Sequence, residues 1–196
     1  VHIRSDDGSD YFISAVLAKK LSLDVGVKIG RDVLDRLSLE TEAVQIRDKT
    51  LDFLSRREYS KYQLSLKLRK AGFSRNLIHT VLDDLEAEGI IDDRRFAERW
   101  LEMRLRRHPE GYPALLAGLR KRGIDLFMAE NLINELQSSD PHIFEDALRR
   151  SAEKAAAKKS LSKEKMMRKL IDRGFKYTRV KAVLDSILDD ESFRNE

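Results

Sequence analysis

Cysteine is absent from the 196-residue chain, which excludes disulfides and thiolate metal sites. Proline occurs three times (Pro109, Pro113, Pro141) and glycine nine times, a scarcity of helix breakers that favours helix. No apolar run approaches the length of about 20 residues that a membrane-spanning helix needs, and no signal-like segment stands out. The expectation is a cytoplasmic protein without membrane association. A glycine-rich phosphate loop is missing, because GVKIG (Gly26 to Gly30) lacks a third glycine and follows no convincing strand. The four histidines (His2, His79, His108, His142) are scattered, none paired with another at metal-ligand spacing. Asp83-Asp84 and Asp92-Asp93 are carboxylate pairs, but at a helix end and beside a cap, not in the buried setting that shifts a carboxylate for acid–base work. These absences argue against an enzyme and leave no cofactor or metal to expect.

What is present is a helical grammar used three times. From Ser60 to Asp93 the chain reads as two helices broken at Gly72, with a sharp exit at Gly89. Ser60 and Gln63 form a capping-box pattern before Leu64 and Leu68. Gly72 supplies a left-handed stop. Ser74 then caps a helix whose Leu77, Ile78, Val81, Leu82 and Leu85 share one face. Gly72, Gly123 and Gly174 are 51 residues apart in both intervals. Leu68, Leu119 and Leu170 stand four residues before them, and Leu64, Leu115 and Met166 stand eight before. After them come Val81, Leu82 and Leu85, then Leu132, Ile133 and Leu136, then Val183, Leu184 and Ile187 at matching offsets, and each glycine is followed by an apolar residue (Phe73, Ile124, Phe175). A fixed period with matching core positions marks an array of stacked helical modules.

Four segments follow. Residues 1–42 carry 6 basic and 8 acidic groups. They read as a hairpin of His2 to Arg4 and Tyr11 to Ile13 around a turn at Asp6 to Ser9, a short helix from Ala15 to Leu21, an irregular bend in LDVGVKIG, and another short helix from Asp32 to Leu37. Residues 43–91 form the first three-helix repeat, with Val44, Leu51 and Leu54 on its first helix. Residues 92–139 form the second, with Asp93 capping a helix that buries Phe96, Ala97, Trp100 and Leu101, and Pro113 in the first turn of the next. Residues 140–196 form the third, opened by Asp140 as N-cap with Pro141 at the first helical position. Its first helix carries Phe144, Ala147, Leu148, Ala152, Ala155 and Ala156; Ser162 caps the second, and the last spans Tyr177 to Leu188.

Charge is sorted within each repeat. Arg56 to Arg75 holds seven bases and one acid, whereas Asp83 to Asp93 holds six acids and no base. Arg94 to Arg107 has six bases against two acids, Arg149 to Lys169 nine against two, and Asp185 to Glu191 four acids and no base. The net charge is only +4, so the arrangement matters more than the total. First and second helices are basic and third-helix ends acidic, which predicts a ladder of alternating surface suited to a periodic partner. The competing expectation is that such runs are solvated faces keeping an elongated protein soluble.

The segments LSRREYSKYQLSLKL, GFS…VLDDLEAEGIIDDRRFAERW and LRKRGI resemble the RecX family, small helical regulators of the RecA recombinase. The resemblance covers residues 45–125 strongly and extends more loosely to about 188. The connection RRHPEGYPALLAGL, with Pro109 and Pro113, departs from the shorter basic-glycine turn of relatives. The resemblance implies a mainly α fold, an elongated curved array of three tandem three-helix repeats with a small N-terminal β-hairpin-like segment. It implies a non-enzymatic, monomeric regulator, mainly an inhibitor, that binds RecA and the groove of the RecA–DNA filament. There it lowers ATP hydrolysis and strand exchange, modulating recombination, DNA repair and the SOS response, with weak, salt-sensitive DNA binding. The candidate contact residues are three basic clusters: Arg56, Arg57, Lys61, Lys67, Arg69 and Lys70; Arg94, Arg95, Arg99, Arg104, Arg106 and Arg107 with Arg120, Lys121 and Arg122; and Lys154, Lys158, Lys159, Lys163, Lys165, Arg168 and Lys169.

The alternative is a tandem helix-turn-helix-like DNA-binding protein or transcription factor. A recognition helix carries Arg, Asn or Gln near its start. Arg75 and Asn76 satisfy this in the first repeat, but the second has Asp125, Leu126 and Phe127 there.

Overall fold

The computed structural model describes residues 1–4, 8–24, 26, 30–157 and 161–193, with the backbone alone for 20 and 189–193. Asp6 and Asp7 of the expected turn, and Val25, Val27, Lys28 and Ile29 of the expected bend, lie outside the described residues. Two strands and ten helices are present among those described, in two compact units, Val1–Asp92 and Asp93–Glu196.

In the first unit, β1 (His2–Arg4) and β2 (Asp10–Phe12) pair antiparallel with His2 opposite Phe12. Asp10 takes hydrogen bonds from Arg4 and His2, which pull its carboxyl down to about 2. Helix α1 (Ala15–Lys20) is capped by Ser14. Helix α2 (Arg31–Arg56) is continuous over 26 residues. The short helix expected from Asp32 to Leu37 is therefore its opening, and the helix expected from Ala43 is its continuation. No Gly or Pro interrupts residues 31–56, so nothing local stops propagation. Its buried positions are Leu37, Thr41, Ile46 and Thr50. The Thr41 and Thr50 hydroxyls donate to the carbonyls of Leu37 and Ile46, each at 2.7 Å, so both can be buried without an unmet donor. Thr41 Oγ1 also accepts from the Phe12 amide at 2.7 Å, tying the hairpin to the front of α2. Leu51, expected in the core, is 38% exposed: the next-door Thr50 holds the inward position, and one residue along a helix turns by about 100°.

Helix α3 (Lys61–Lys70) starts at a complete capping box of Ser60 and Gln63. Helix α4 (Arg75–Ala87) follows the left-handed Gly72, φ 95°. Ser74 occupies its N-cap position without a side-chain cap bond; instead its amide donates to Glu42 Oε1 at 2.6 Å, holding the turn against α2. Leu64, Leu68, Ile78, Val81, Leu82 and Leu85 close the core with Ile46 and Tyr59. Leu77 is half-buried at its rim.

The second unit contains α5 (Asp93–Arg107), α6 (Tyr112–Arg120), α7 (Leu126–Ser139), α8 (Ile143–Ala156), α9 (Lys163–Asp172) and α10 (Tyr177–Phe193). Asp93 is the first helical residue of α5 rather than a residue outside it. The third repeat opens with a turn before its helix: Asp140 accepts from the His142 amide at 3.1 Å, and α8 begins at Ile143. Helix α10 continues five residues past the expected Leu188, to Phe193. One buried cluster runs through all six helices, from Phe96 and Trp100 to Val180 and Leu184. The connection before α6 is locked to the far side of this core. The Gly111 amide donates to Arg173 O at 2.9 Å. Ser151 Oγ bridges Pro109 O (3.4 Å) and Arg173 Nη1 (3.1 Å).

Candidate functional site

The register of 51 residues extends from the core to the caps. Ser60, Gly111 and Ser162 are the N-cap residues of α3, α6 and α9. Equivalent positions in the three repeats can therefore be compared directly, including those of the basic clusters.

Part of the charge ladder closes on itself. Lys61 on α3 holds Asp83 at 2.6 Å and Glu86 on α4. Two periods on, Lys163 holds Asp185 at 2.6 Å in the same helix-to-helix arrangement. Burial alone would lower the Lys61 ammonium, but the hydrogen bonds to Asp83 and Glu86 outweigh it and raise it; Asp83 and Asp185 are pulled down by their lysines. Arg94 reaches Glu98 at 2.9 Å and Glu135 at 2.7 Å, and Arg56 pairs with Asp52 at 3.1 Å. Arg104 grips Glu110 with both edges of its fork, at 2.9 and 2.5 Å, and the bond raises the Arg104 guanidinium above its ordinary range. Basic first and second helices facing acidic third-helix ends are thus, in these places, the two halves of internal ion pairs. Arg47–Glu88 at 2.6 Å belongs to the same class and lies outside the predicted clusters; the basic-to-acidic alternation of the sequence was its signal.

Other members of the clusters lie on rings. Arg57 Cζ sits 4.0 Å above the Tyr59 ring, and Lys67 Nζ is 4.6 Å from the Phe53 centroid and 5.1 Å from that of Tyr59. Arg122 covers Trp100 at 4.5 Å and donates to Gly118 O at 2.7 Å. Arg95 and Arg99 are engaged within the chain as well. Lys158 and Lys159 lie outside the described residues.

The remaining candidates are exposed, and no ion pair involves them among the described residues: Arg69 and Lys70 at the end of α3, Arg106 and Arg107 at the end of α5, Arg120 and Lys121 at the end of α6, Lys154 on α8, and Lys165, Arg168 and Lys169 on α9. Arg69 and Lys70 occupy the same two repeat positions as Arg120 and Lys121, beside the glycine that ends the helix. Cations there also complement the partial negative charge of the helix C-terminus. Arg75 and Asn76 are exposed at the start of α4. Their equivalents Leu126 and Phe127 are exposed apolar side chains, Phe127 at 73%. Among the described residues no group of three or more His, Cys, Asp or Glu side chains is placed to hold a metal ion, and no helix is long and apolar enough to cross a membrane.

A family model described as "RecX, first three-helix domain" matches residues 47–85, over the helices that carry the first aromatic–basic cluster. The regulatory protein RecX of Pelodictyon phaeoclathratiforme is 33% identical over 139 residues, spanning 68% of this chain and 83% of that protein. The chain belongs to the RecX family. The regulatory protein RecX of Clostridium tetani is 29% identical over 196 residues, covering 96% of this chain and 88% of its own length. A crystal structure of a regulatory protein RecX superposes with a TM-score of 0.72 at 15% identity, covering 94% of this chain and 97% of its own. That of RecX from Lactobacillus salivarius gives 0.61 at 21%, covering 74% and 96%. These two likenesses show the RecX-like fold: mainly helical, with three-helix domains. RecX proteins are regulators rather than enzymes, and the mainly helical architecture expected from the sequence is the one observed.

Proposed function

We propose that this chain binds RecA and lies on the RecA–DNA filament, lowering ATP hydrolysis and strand exchange and so modulating recombination, DNA repair and the SOS response. It acts in the cytoplasm as a monomer built of three repeated modules, and its direct affinity for DNA is weak and falls with salt. RecX membership supports the partner. The observation that carries the surface is the recurrence of two exposed cations at one repeat position, Arg69-Lys70 and Arg120-Lys121. A cation already held by an internal carboxylate, such as Lys61 or Arg104, has to break that bond to serve a partner; these four do not. The contact surface is therefore narrower than the three full clusters. It centres on the ends of α3 and α6 and on Lys165, Arg168 and Lys169 of α9.

The test is DNA-stimulated ATP hydrolysis by the cognate RecA on single-stranded DNA, titrated with this chain. Inhibition is expected, and weakening of it by Arg69→Gln/Lys70→Gln and by Arg120→Gln/Lys121→Gln, while Lys61→Gln leaves it unchanged. Inhibition well below one molecule per RecA indicates an action on filament growth. No inhibition of a RecA shown to be active would sink the reading.

A further inference from the structure

The connection between α2 and α3 gathers three cations around two rings. Arg57 stacks on Tyr59, Lys67 lies between Tyr59 and Phe53, and Lys49 is 5.6 Å from the Phe53 centroid. Phe53 and Tyr59 themselves are tilted neighbours with centroids 6.2 Å apart. Asp52, the nearby acid on α2, is engaged by Arg56 and Lys49. Neither Arg57 nor Lys67 has an ion pair among the described residues. Arg57 first, with Lys67 adding to it, holds the Tyr59 phenol below its ordinary range.

The second repeat shows what the same place looks like when its charge is satisfied. One period on from Phe53 and Tyr59 stand Arg104 and Glu110, joined by a two-pronged ion pair. At the Lys67 position is Gly118, whose missing Cβ makes room for Trp100. The fold thus accommodates an anion at this corner, and in the first repeat a phenol stands at the Glu110 position, with the half-buried Glu58 one residue before it.

We propose that Arg57, Lys67 and the Tyr59 hydroxyl form an oxyanion site that takes a phosphodiester group of a single nucleic-acid strand. A planar carboxylate is met best by one guanidinium fork, as Glu110 is by Arg104. Here the donors come from three side chains, two on the connection and Lys67 on α3, an arrangement suited to a tetrahedral group with oxygens pointing several ways. Stacking uses the face of the Arg57 guanidinium and leaves N–H edges for an incoming oxygen. The choice of a nucleic acid as the source of the anion rests on the proposed RecA–DNA reading; the site does not.

The test is fluorescence anisotropy of a labelled oligothymidylate bound by the full chain across a salt series, with RecA inhibition measured in parallel. Each phosphate neutralised on a single strand contributes a slope of about −0.7 to the log–log plot. Arg57→Gln and Lys67→Gln should each make the slope shallower and the double variant should do so by about that amount, whereas the charge-retaining Arg57→Lys keeps it. Tyr59→Phe should weaken binding a few-fold at unchanged slope. Circular dichroism identifies any variant that fails to fold, and the Gln variant that does fold then carries the comparison. Unchanged slopes in the folded Gln variants overturn the site, as does a parent chain that does not bind the strand. Loss of RecA inhibition in those variants with strand binding intact would also overturn it, assigning the cations to a carboxylate of the partner protein. Strand binding with no effect on RecA would leave the site standing and remove the proposed function.

Discussion

Two glycines of this chain are required for different reasons, and the difference can be measured. Gly72 ends α3 with φ 95°, and a Cβ there would meet nothing within 4 Å. Gly72→Ala should therefore cost only the strain of a left-handed alanine, about 1 kcal/mol. Gly111 has no such conformation, but a Cβ on it would stand 2.6 Å from the carbonyl carbon of Gly174. Backbone cannot rotate out of the way as a side-chain tip does. Gly111→Ala should also disturb the amide bond to Arg173 O, for a loss of about 2–3 kcal/mol. Urea unfolding of the two variants ranks them; a smaller effect at Gly111 would contradict the close approach. The repeat pattern revealed Gly72 in the sequence, because its role is local. Gly111 carried no equivalent signal, since its constraint comes from a residue 63 positions away.

At the scale of the element, the same cap sequence is worth different amounts in different repeats. Ser60 is fully buried, accepts from the Gln63 amide at 3.2 Å, and receives the Gln63 side chain on its own amide. Ser162 is exposed and accepts from the Lys165 amide at 3.5 Å, the limit of a hydrogen bond. Ser60→Ala should cost about 1–2 kcal/mol and Ser162→Ala about 0.5 kcal/mol. Thermal unfolding followed by circular dichroism checks the order, and equal losses would mean that burial of the cap adds nothing. Helix boundaries marked by caps and glycines were legible for α3, α6 and α9. The continuity of α2 was not: its buried threonines look polar in a sequence, and only their bonds to the preceding turn make them inward-facing. The candidate basic clusters were legible as runs of charge, but not which of their members are consumed. Lys61 and Lys70 are alike in sequence; α4 brings two carboxylates to the first and none to the second.

The whole molecule adds cooperativity that no single repeat has. In the unit Asp93–Glu196 one buried cluster joins α5 through α10, and Leu170 lies within it at 1% exposure. Leu170→Ala should lower stability by about 2–5 kcal/mol. Because the core is continuous, amide exchange should quicken in α5–α7 as well as in α8–α10. Quickening confined to α8–α10 would show that the second and third repeats unfold separately.

The sequence by itself determined the helical class, the period of 51 residues, the inward leucines, the capped starts of the second helices in the first and third repeats, and the family. All of these rest on short-range rules, namely helical phase, capping and left-handed glycine stops, repeated often enough to be unmistakable. Tertiary structure decided which charges remain for a partner and where the rings of Phe53, Tyr59 and Trp100 place their cations. It also decided how the Pro109–Gly111 connection meets Gly174. These depend on the distance between side chains on different helices, which spacing along one chain does not specify.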